Sequence, residues 1–264
     1  MAKRALFVGV NEYPLASDRL KGCVNDAMGW SDLLSDHFDF PRSSIKVITD
    51  TDATKRAVVA ALKRLLARAR SGDVFVFGNS SHGSQVPDED GDEKMLDEVL
   101  CPYDADDNVL RDDELREVFS AIPAGVRLTA ILDNCHSGSG TRAPAGPGTL
   151  YRRARYMDPQ HAGAPAEWSP RGKSRGGAKY PESQMRELLL AGCRSDESSY
   201  DADLEGKFHG AMTFYALRVI EAANYRLTYE DLVRRVKRRL TAAEFDQHPR
   251  IEGRDANKGR QIFT

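Results

Sequence analysis

The chain has 264 residues, of which 41% are hydrophobic and 30% are charged, and its formal net charge is -2 at pH 7. This composition is ordinary for a globular protein with a core, and the near-neutral charge gives no electrostatic basis for binding nucleic acid or an anionic membrane. No apolar stretch reaches the roughly 18–20 residues that span a bilayer. The apolar run at the N-terminus is too short for a signal peptide, so we expect a first β-strand there and a cytoplasmic protein.

The four cysteines indicate a reducing compartment. They are widely spaced and include no C-x-x-C pair: Cys23, Cys101, Cys135 and Cys193. Structural zinc sites use closely spaced cysteine pairs, and disulfide frameworks belong to short secreted chains. We therefore expect four reduced thiols, one of which is a candidate for a reactive group.

Residues 1–140 alternate strand-like and helix-like segments. Short runs rich in β-branched and aromatic residues predict strands at 4–10, 45–48, 74–77 and 128–132. Apolar residues spaced three and four apart predict helices at 24–37, 54–70 and 112–121. The alternation predicts an α/β fold with a mostly parallel central sheet and helices on both faces.

The composition changes after residue 140. Residues 141–184 hold 12 Gly and Pro residues, and eight Lys and Arg against three Asp and Glu, which is typical of an exposed, flexible linker. Beyond it we expect a strand at 187–191, helices at 211–223 and 229–242, and a terminal strand at 261–263. The predicted organisation is one domain in three parts: a larger part at 1–140, a basic linker at 141–184 and a smaller part at 185–264.

Two predicted strands lead into residues suited to nucleophilic catalysis. His82 follows the strand at 74–77, and Cys135 follows the strand at 128–132. Neighbouring parallel strands place their carboxyl ends at one sheet edge, where a thiol and an imidazole are the minimum set for an activated nucleophile. Each residue alone also fits a structural role, as a core cysteine or a hydrogen-bonded loop histidine, and position alone does not choose between these interpretations.

These residues carry a family resemblance. His82-Gly83, together with Asp133-x-Cys135-His-Ser-Gly, resembles the catalytic signature of the metacaspases and their bacterial relatives, the orthocaspases. Further similar blocks lie, in the family's order, at 4–11, 20–27, 84–93 and 210–213. The resemblance implies a caspase-like, three-layer α/β/α fold of the caspase-hemoglobinase type. The content of Ala, Arg, Asp and Gly indicates a bacterial source.

The resemblance implies a cysteine endopeptidase with a Cys135–His82 dyad. It also implies that the backbone N–H groups of Gly83 and Cys135 bind the oxyanion that forms on the substrate. It also implies a pocket for the residue before the scissile bond, built from Cys23, Asp26, Ser80 and Asp133. Two carboxylates suit a guanidinium or an ammonium, so we expect peptide and protein substrates with Arg or Lys at that position. Taken alone, Asp26 also fits a carboxylate that stabilises a helix N-terminus.

Calcium activates many members of this family. The resemblance places three calcium ligands at Asp97, Asp112 and Asp113, but the fourth position falls near Thr141-Arg142, which is not acidic. Calcium prefers six to eight oxygen ligands, so we expect no required cofactor and only weak activation by Ca²⁺. The acidic run at 88–93 has its glycine misplaced for a calcium-binding loop and fits an ordinary solvated loop.

The basic linker favours self-processing, because an enzyme that cuts after Arg or Lys meets exposed arginines there. The candidate sites are Arg152, Arg153 and Arg155.

Residues 79–81 depart from the family pattern, since Asn79 replaces an aromatic residue and Ser81 replaces a glycine. Ser81 must therefore avoid a positive φ. An alternative stays open, namely a catalytically impaired caspase-like module that binds partners; in either case the resemblance favours a monomer.

Overall fold

The fold combines a central sheet, two small sheets and six helices, counted over residues 1–87, 96–135, 151–168 and 182–264, which a computed structural model describes. The strands are β1 (Lys3–Gly9), β2 (Ile45–Thr49), β3 (Val74–Ser80), β4 (His82–Pro87), β5 (Leu96–Cys101), β6 (Leu110–Arg111), β7 (Arg127–Asp133), β8 (Arg152–Ala154), β9 (Leu188–Ala191), β10 (Tyr200–Leu204), β11 (Lys207–Gly210) and β12 (Arg250–Glu252). The helices are α1 (Cys23–His37), α2 (Lys55–Leu66), α3 (Asp112–Ser120), α4 (Ala211–Ala222), α5 (Tyr229–Ala242) and α6 (Asp255–Lys258).

The central sheet has the order β12-β9-β7-β3-β1-β2. All of its pairings are parallel except that of β12 with β9, which is antiparallel. The prediction of a mostly parallel sheet is therefore confirmed, and its strands come from both sides of the linker. Parallel order places the carboxyl ends of β3 and β7 next to each other, and this pair of ends positions the candidate site.

Helices cover both faces of this sheet, as predicted. Because successive residues of a strand point to opposite faces, Ala5 and Phe7 of β1 enter one core with α1, α4 and α5, whereas Leu6 and Val8 enter the other with α2 and α3. A strand that is buried on both faces carries an uninterrupted apolar run, and this explains the sequence of β1. The result is a three-layer α/β/α architecture.

Two small antiparallel sheets flank the carboxyl edge of the central sheet. One has the order β4-β5-β6 and begins directly at His82, and the other has the order β11-β10-β8. Strand β4 of the first sheet contains residues 84–87 of the family block at 84–93, which the sequence did not predict to be a strand. The acidic run at 88–93 lies outside the described residues.

Two expectations differ from the structure. The terminal strand at 261–263 is wrong: Gln261 makes only an isolated bridge with Thr228, and Phe263 has a φ of 54°, which turns the chain away from an extended path. Part of the predicted flexible linker is ordered, since residues 152–154 form β8 and Met157 is buried. Apolar burial and sheet pairing fix this segment in spite of its basic composition.

Among the described residues, no helix has both the length and the apolar character that crossing a bilayer requires.

Candidate active site

The site lies where β3 and β7 end. Ser80 and Asp133 are register partners at the last position of the two strands, and His82 and Cys135 each follow two residues later. Both side chains are buried, with exposed fractions of 0%. The sheet therefore brings the two residues of the predicted dyad to one edge.

The imidazole of His82 is held from one side only. Its Nε2 atom donates to the carbonyl oxygen of Asp18 at 2.7 Å, whereas Nδ1 is buried and has no hydrogen-bond partner among the described residues. The Tyr13 hydroxyl accepts from the His82 backbone N–H at 3.1 Å, and the two rings lie 5.2 Å apart. A proton on Nε2 leaves a lone pair on Nδ1, so the histidine is arranged as a proton acceptor. Burial, aided by the positive charge of Arg153, lowers the pKa of His82 to about 3.

The two departures from the family pattern are both accommodated by hydrogen bonds. Asn79 donates through Nδ2 to the Ser81 hydroxyl at 2.8 Å, and that hydroxyl donates to the backbone carbonyl of His82 at 2.7 Å. Ser81 is absent from the residues with positive φ, as the sequence required. The altered segment therefore braces the backbone of His82.

The thiol of Cys135 is protonated in this arrangement. Burial raises its pKa to about 12, although the backbone of Ser199 opposes part of the shift. Its Sγ atom lies 3.8 Å from the Ser199 carbonyl oxygen. A buried thiol that is excluded from water is favoured in its neutral form.

Two backbone N–H groups beside the thiol converge on one carbonyl oxygen. The N–H groups of Gly83 and Cys135 donate to the carbonyl oxygen of Arg155 at 2.9 Å and 3.4 Å, respectively. A Cβ atom at Gly83 would collide with the Cys135 carbonyl and crowd the side chain of Asn134. Glycine is therefore required for this close approach. The paired donors have the arrangement that stabilises a developing oxyanion.

The side chain of Arg155 fills an acidic pocket. Its Nη2 atom lies 2.6 Å from Oδ2 of Asp26 and 3.2 Å from Oδ1 of Asp201. Its Nη1 atom donates to the backbone carbonyl of Asp133 at 2.9 Å and lies 3.5 Å from the carboxylate of the same residue. The guanidinium and all three carboxylates are essentially inaccessible to solvent. Such a pocket recognises both the charge and the planar shape of an arginine side chain.

The residues around the pocket hold its carboxylates in place. Ser80 donates to Asp26 at 3.2 Å, and Thr213 donates to Asp133 through its hydroxyl at 2.7 Å. Burial raises the pKa of Asp26, an effect that the charge of Arg155 opposes. A Cβ atom at Gly210 would clash with the guanidinium of Arg155 and with Asp133, so a glycine at this position leaves room for the guanidinium.

Cys23, the remaining predicted pocket residue, is fully buried, and its backbone N–H donates to the Asn11 side chain at 2.8 Å. Burial raises the pKa of its thiol, although the positive charge of Arg155 acts in the opposite direction.

The chain around Arg155 runs through the site like a bound peptide. On its N-terminal side, β8 pairs antiparallel with β10, and the N–H of Arg155 donates to the Ser199 carbonyl at 2.8 Å. On its C-terminal side, Tyr156 bridges to Gly83, and the N–H of Met157 donates to the Gly83 carbonyl at 2.9 Å. Backbone hydrogen bonds therefore grip the chain on both sides of the Arg155–Tyr156 peptide bond.

Two of the three predicted calcium ligands form ion pairs with arginine side chains. Arg111 forms an ion pair with Asp97, and Nε of Arg116 lies 3.6 Å from Asp112. Within the described ranges, no group of three or more His, Cys, Asp or Glu side chains is arranged to hold a metal ion. Guanidinium groups thus stand beside two of the three carboxylates that a cation would need. Thr141 and Arg142 lie outside the described residues.

Sequence reasoning missed several residues of the site. Asp201 completes the pocket from β10, Asp18 orients His82, and Tyr13 packs beside it. The one available signal was for Asp201, an acidic residue in a short strand whose neighbours Tyr200 and Ala202 are apolar. The Asp18 contact is made by a backbone carbonyl, which no side-chain pattern reveals.

Comparisons with known proteins agree with this geometry. The model of the metacaspase, peptidase C14 domain matches residues 3–144. Metacaspase-1 of Schizosaccharomyces pombe is 29% identical over 94% of this chain and 66% of its own length. Metacaspase-2 of Arabidopsis thaliana is 34% identical over 98% of this chain and 59% of its own length. The chain thus spans less than two thirds of each of these relatives.

Solved structures show the same fold. The crystal structure of a Geobacter sulfurreducens protein is similar with a TM-score of 0.74 and 25% identity, over 100% of this chain and 99% of that one. Caspase-1 of Spodoptera frugiperda has a TM-score of 0.60 at 13% identity, over 95% of this chain and 86% of that one, and this similarity shows the fold alone. Because the family model covers more than half of the chain, the protein belongs to the metacaspase, peptidase C14 family.

Proposed function

We propose that this protein is a cysteine endopeptidase that hydrolyses peptide bonds after Arg or Lys by means of Cys135 and His82. One observation carries the proposal. The guanidinium of Arg155 lies among the carboxylates of the acidic pocket, while its carbonyl oxygen accepts hydrogen bonds from Gly83 and Cys135. A specificity pocket and an oxyanion site are thus engaged by one and the same residue.

The proposed reaction follows from this geometry. His82, held through Nε2, accepts the thiol proton on Nδ1, and the sulfur of Cys135 attacks the carbonyl carbon of the substrate arginine. The carbonyl oxygen becomes an oxyanion that keeps its two N–H donors. His82 then gives the proton to the leaving amine, which departs as the C–N bond breaks. Water, deprotonated by the same imidazole, then attacks the thioester. The C–S bond breaks, the imidazole returns the proton to the sulfur of Cys135, and the product leaves with its new carboxyl group.

Charge determines the proposed preference at the pocket. An arginine side chain gives two nitrogens to Asp26, Asp133 and Asp201, as Arg155 does. A lysine carries the same charge but has no fork, so we expect it to be accepted less well. An aspartate would add a fourth carboxylate to a buried acidic cluster, so peptides with Asp at this position are expected to be excluded.

We also propose that the chain cuts itself between Arg155 and Tyr156. Of the three candidate arginines, Arg155 alone contacts the pocket carboxylates. The guanidinium of Arg153 lies outside the pocket and donates to the backbone carbonyls of Ser17 and Arg19. Until the cut is made, residues 151–157 block the cleft, and full activity on other substrates requires their departure.

Cleavage of matched fluorogenic peptides tests the proposal. Peptides that end in Arg, Lys or Asp are compared on the wild type and on Cys135→Ala, with and without Ca²⁺. We expect turnover in the order Arg, then Lys, no turnover of Asp peptides, and none in the variant. We expect only weak activation by Ca²⁺, because Arg111 and Arg116 stand beside two of the predicted ligands. Absence of turnover in every arm, after self-cleavage has been given time, would favour the non-catalytic module.

A further inference from the structure

Arg152, three positions before Arg155, also makes a set of specific contacts with the protein. The Arg152 guanidinium donates through Nη1 to the Glu244 carbonyl at 2.6 Å and through Nη2 to the Ala243 carbonyl at 2.8 Å. It also lies over the Phe245 ring, 4.0 Å from its centroid. Resting on the proposed function, we propose that this is a second cation subsite of the cleft, so that the preferred substrates carry the pattern Arg-x-x-Arg before the cut.

The end of α5 makes this subsite attractive to a cation. The N–H of Phe245 donates to the Leu240 carbonyl at 2.9 Å, and the N–H of Glu244 donates to the Thr241 carbonyl at 3.1 Å. With Glu244 at a φ of 58°, this is a Schellman ending of the helix. It leaves the carbonyls of Ala243 and Glu244 for an outside donor, at the end of the helix dipole that is negative.

The aromatic ring adds a second reason for a cation. The face of an aromatic ring carries negative potential, and a guanidinium stacked on it is attracted electrostatically. Phe245 is 4% exposed and is held by Tyr200 and Tyr215, whose rings lie 5.9 Å and 6.3 Å from it. The ring is therefore held by residues of the protein body and forms one wall of the subsite.

The register of β8 on β10 indicates that a substrate residue would occupy the same place as Arg152. Arg152 is the register partner of Ala202, and Ala154 is the partner of Tyr200. Pairing of a peptide with the edge of β10 uses main-chain groups, so a substrate with Arg in the acidic pocket follows the same path. Its residue three positions earlier then arrives at the end of α5, which belongs to the body of the protein and stays there when the linker leaves.

The two positions between Arg152 and Arg155 are expected to be less selective for the substrate side chain. Arg153 reaches backbone carbonyls through contacts exposed to solvent, where a charge gains little. Ala154 presents only a methyl group. The subsite thus distinguishes one position of the substrate, and a comparison with the position of Arg153 provides an internal control.

Peptides that differ in a single charge test the subsite. The self-processed enzyme is assayed on Arg-Arg-Ala-Arg, on the same peptide with citrulline first, and on the same peptide with citrulline second. Citrulline keeps the shape of arginine and removes its charge. We expect citrulline in the first position to lower kcat/KM about tenfold, which corresponds to about 1.4 kcal/mol, and citrulline in the second position to change it less than twofold.

Two variants locate the effect on the protein. Phe245→Leu is expected to reduce the ratio of kcat/KM for Arg over citrulline in the first position. Phe38→Leu, a buried phenylalanine packed against Tyr225 and Phe263, controls for general loosening and is expected to leave that ratio unchanged. Equal turnover of the Arg and citrulline peptides by the wild type would overturn the subsite alone. Absence of turnover of all three peptides would overturn the proposed function and the subsite together.

Discussion

Replacing Arg155 with glutamine removes the positive charge from the acidic pocket and keeps most of the side-chain length. The wild-type guanidinium makes contacts of 2.6 Å to Asp26, 3.2 Å to Asp201 and 2.9 Å to the Asp133 carbonyl, all inaccessible to solvent. Breaking a buried ion pair by removing one partner costs about 3–5 kcal/mol. At about 1.4 kcal/mol per factor of ten, self-cleavage is expected to slow by a factor of about 10² to 4 × 10³.

The assay follows full-length protein over time by intact mass, which separates residues 1–155 and 156–264 from the uncut chain. Arg153→Gln is the matched control, because it makes the same change two residues earlier on the same segment and does not touch the pocket. We expect it to cut at the same bond and to change the rate far less than Arg155→Gln does, since its charge acts on the pKa of His82 from outside the pocket. Equal rates in Arg155→Gln and the wild type, or a wild-type cut at Arg153, would refute the assignment of Arg155 to the pocket.

Three further predictions address the remaining parts of the site. Gly83→Ala places a Cβ atom against the Cys135 carbonyl, so self-cleavage should fall by at least about 100-fold while circular dichroism shows a folded chain; near-normal cleavage would contradict the oxyanion role. Asp201→Asn should raise KM for Arg peptides about tenfold with a smaller change in kcat, and an unchanged KM would contradict its place in the pocket. In a Cys135→Ala background, the free energy of unfolding should decrease as the pH is lowered below 6.5, by up to about 1.4 kcal/mol per pH unit. The reason is that His82 takes up a proton in the unfolded chain but not in the folded one, where its pKa is lowered to about 3. His82→Gln should remove that part of the slope, and equal slopes would contradict the burial of a neutral imidazole.

The sequence allowed the central sheet to be predicted because its strands have a local signature. Runs such as 74–77 are apolar at every position, and the amphipathic segments between them predict the crossover helices that make a sheet parallel. The neighbourhood of His82 and Cys135 followed from the same rule, since each lies two residues after the end of a strand of that sheet. The small sheets have no such signature, because β6 and β8 are only two and three residues long.

The burial of Arg155 in the acidic pocket could not be predicted from the sequence for a different reason. Arg155 meets Asp26 across 129 positions and Asp201 across 46, and nothing in the local pattern around Arg155 indicates that its charge is buried. The basic composition that suggested an exposed linker is the same property that seats Arg155 among carboxylates. The composition of a segment predicts the average exposure of its residues, whereas Arg155 is fully buried in a segment that composition predicts to be exposed.

The central sheet determines what a cut after Arg155 does to the molecule. Strand β7 lies before the cut and β9 after it, yet the two are hydrogen-bonded neighbours, and helices α1 and α4 from the two sides share one core. Hydrolysis of the bond therefore yields a heterodimer of 155 and 109 residues that keeps the hydrodynamic size of the parent. The two polypeptides are expected to copurify under native conditions, to part only in denaturant, and to reconstitute the same particle when they are expressed as separate chains.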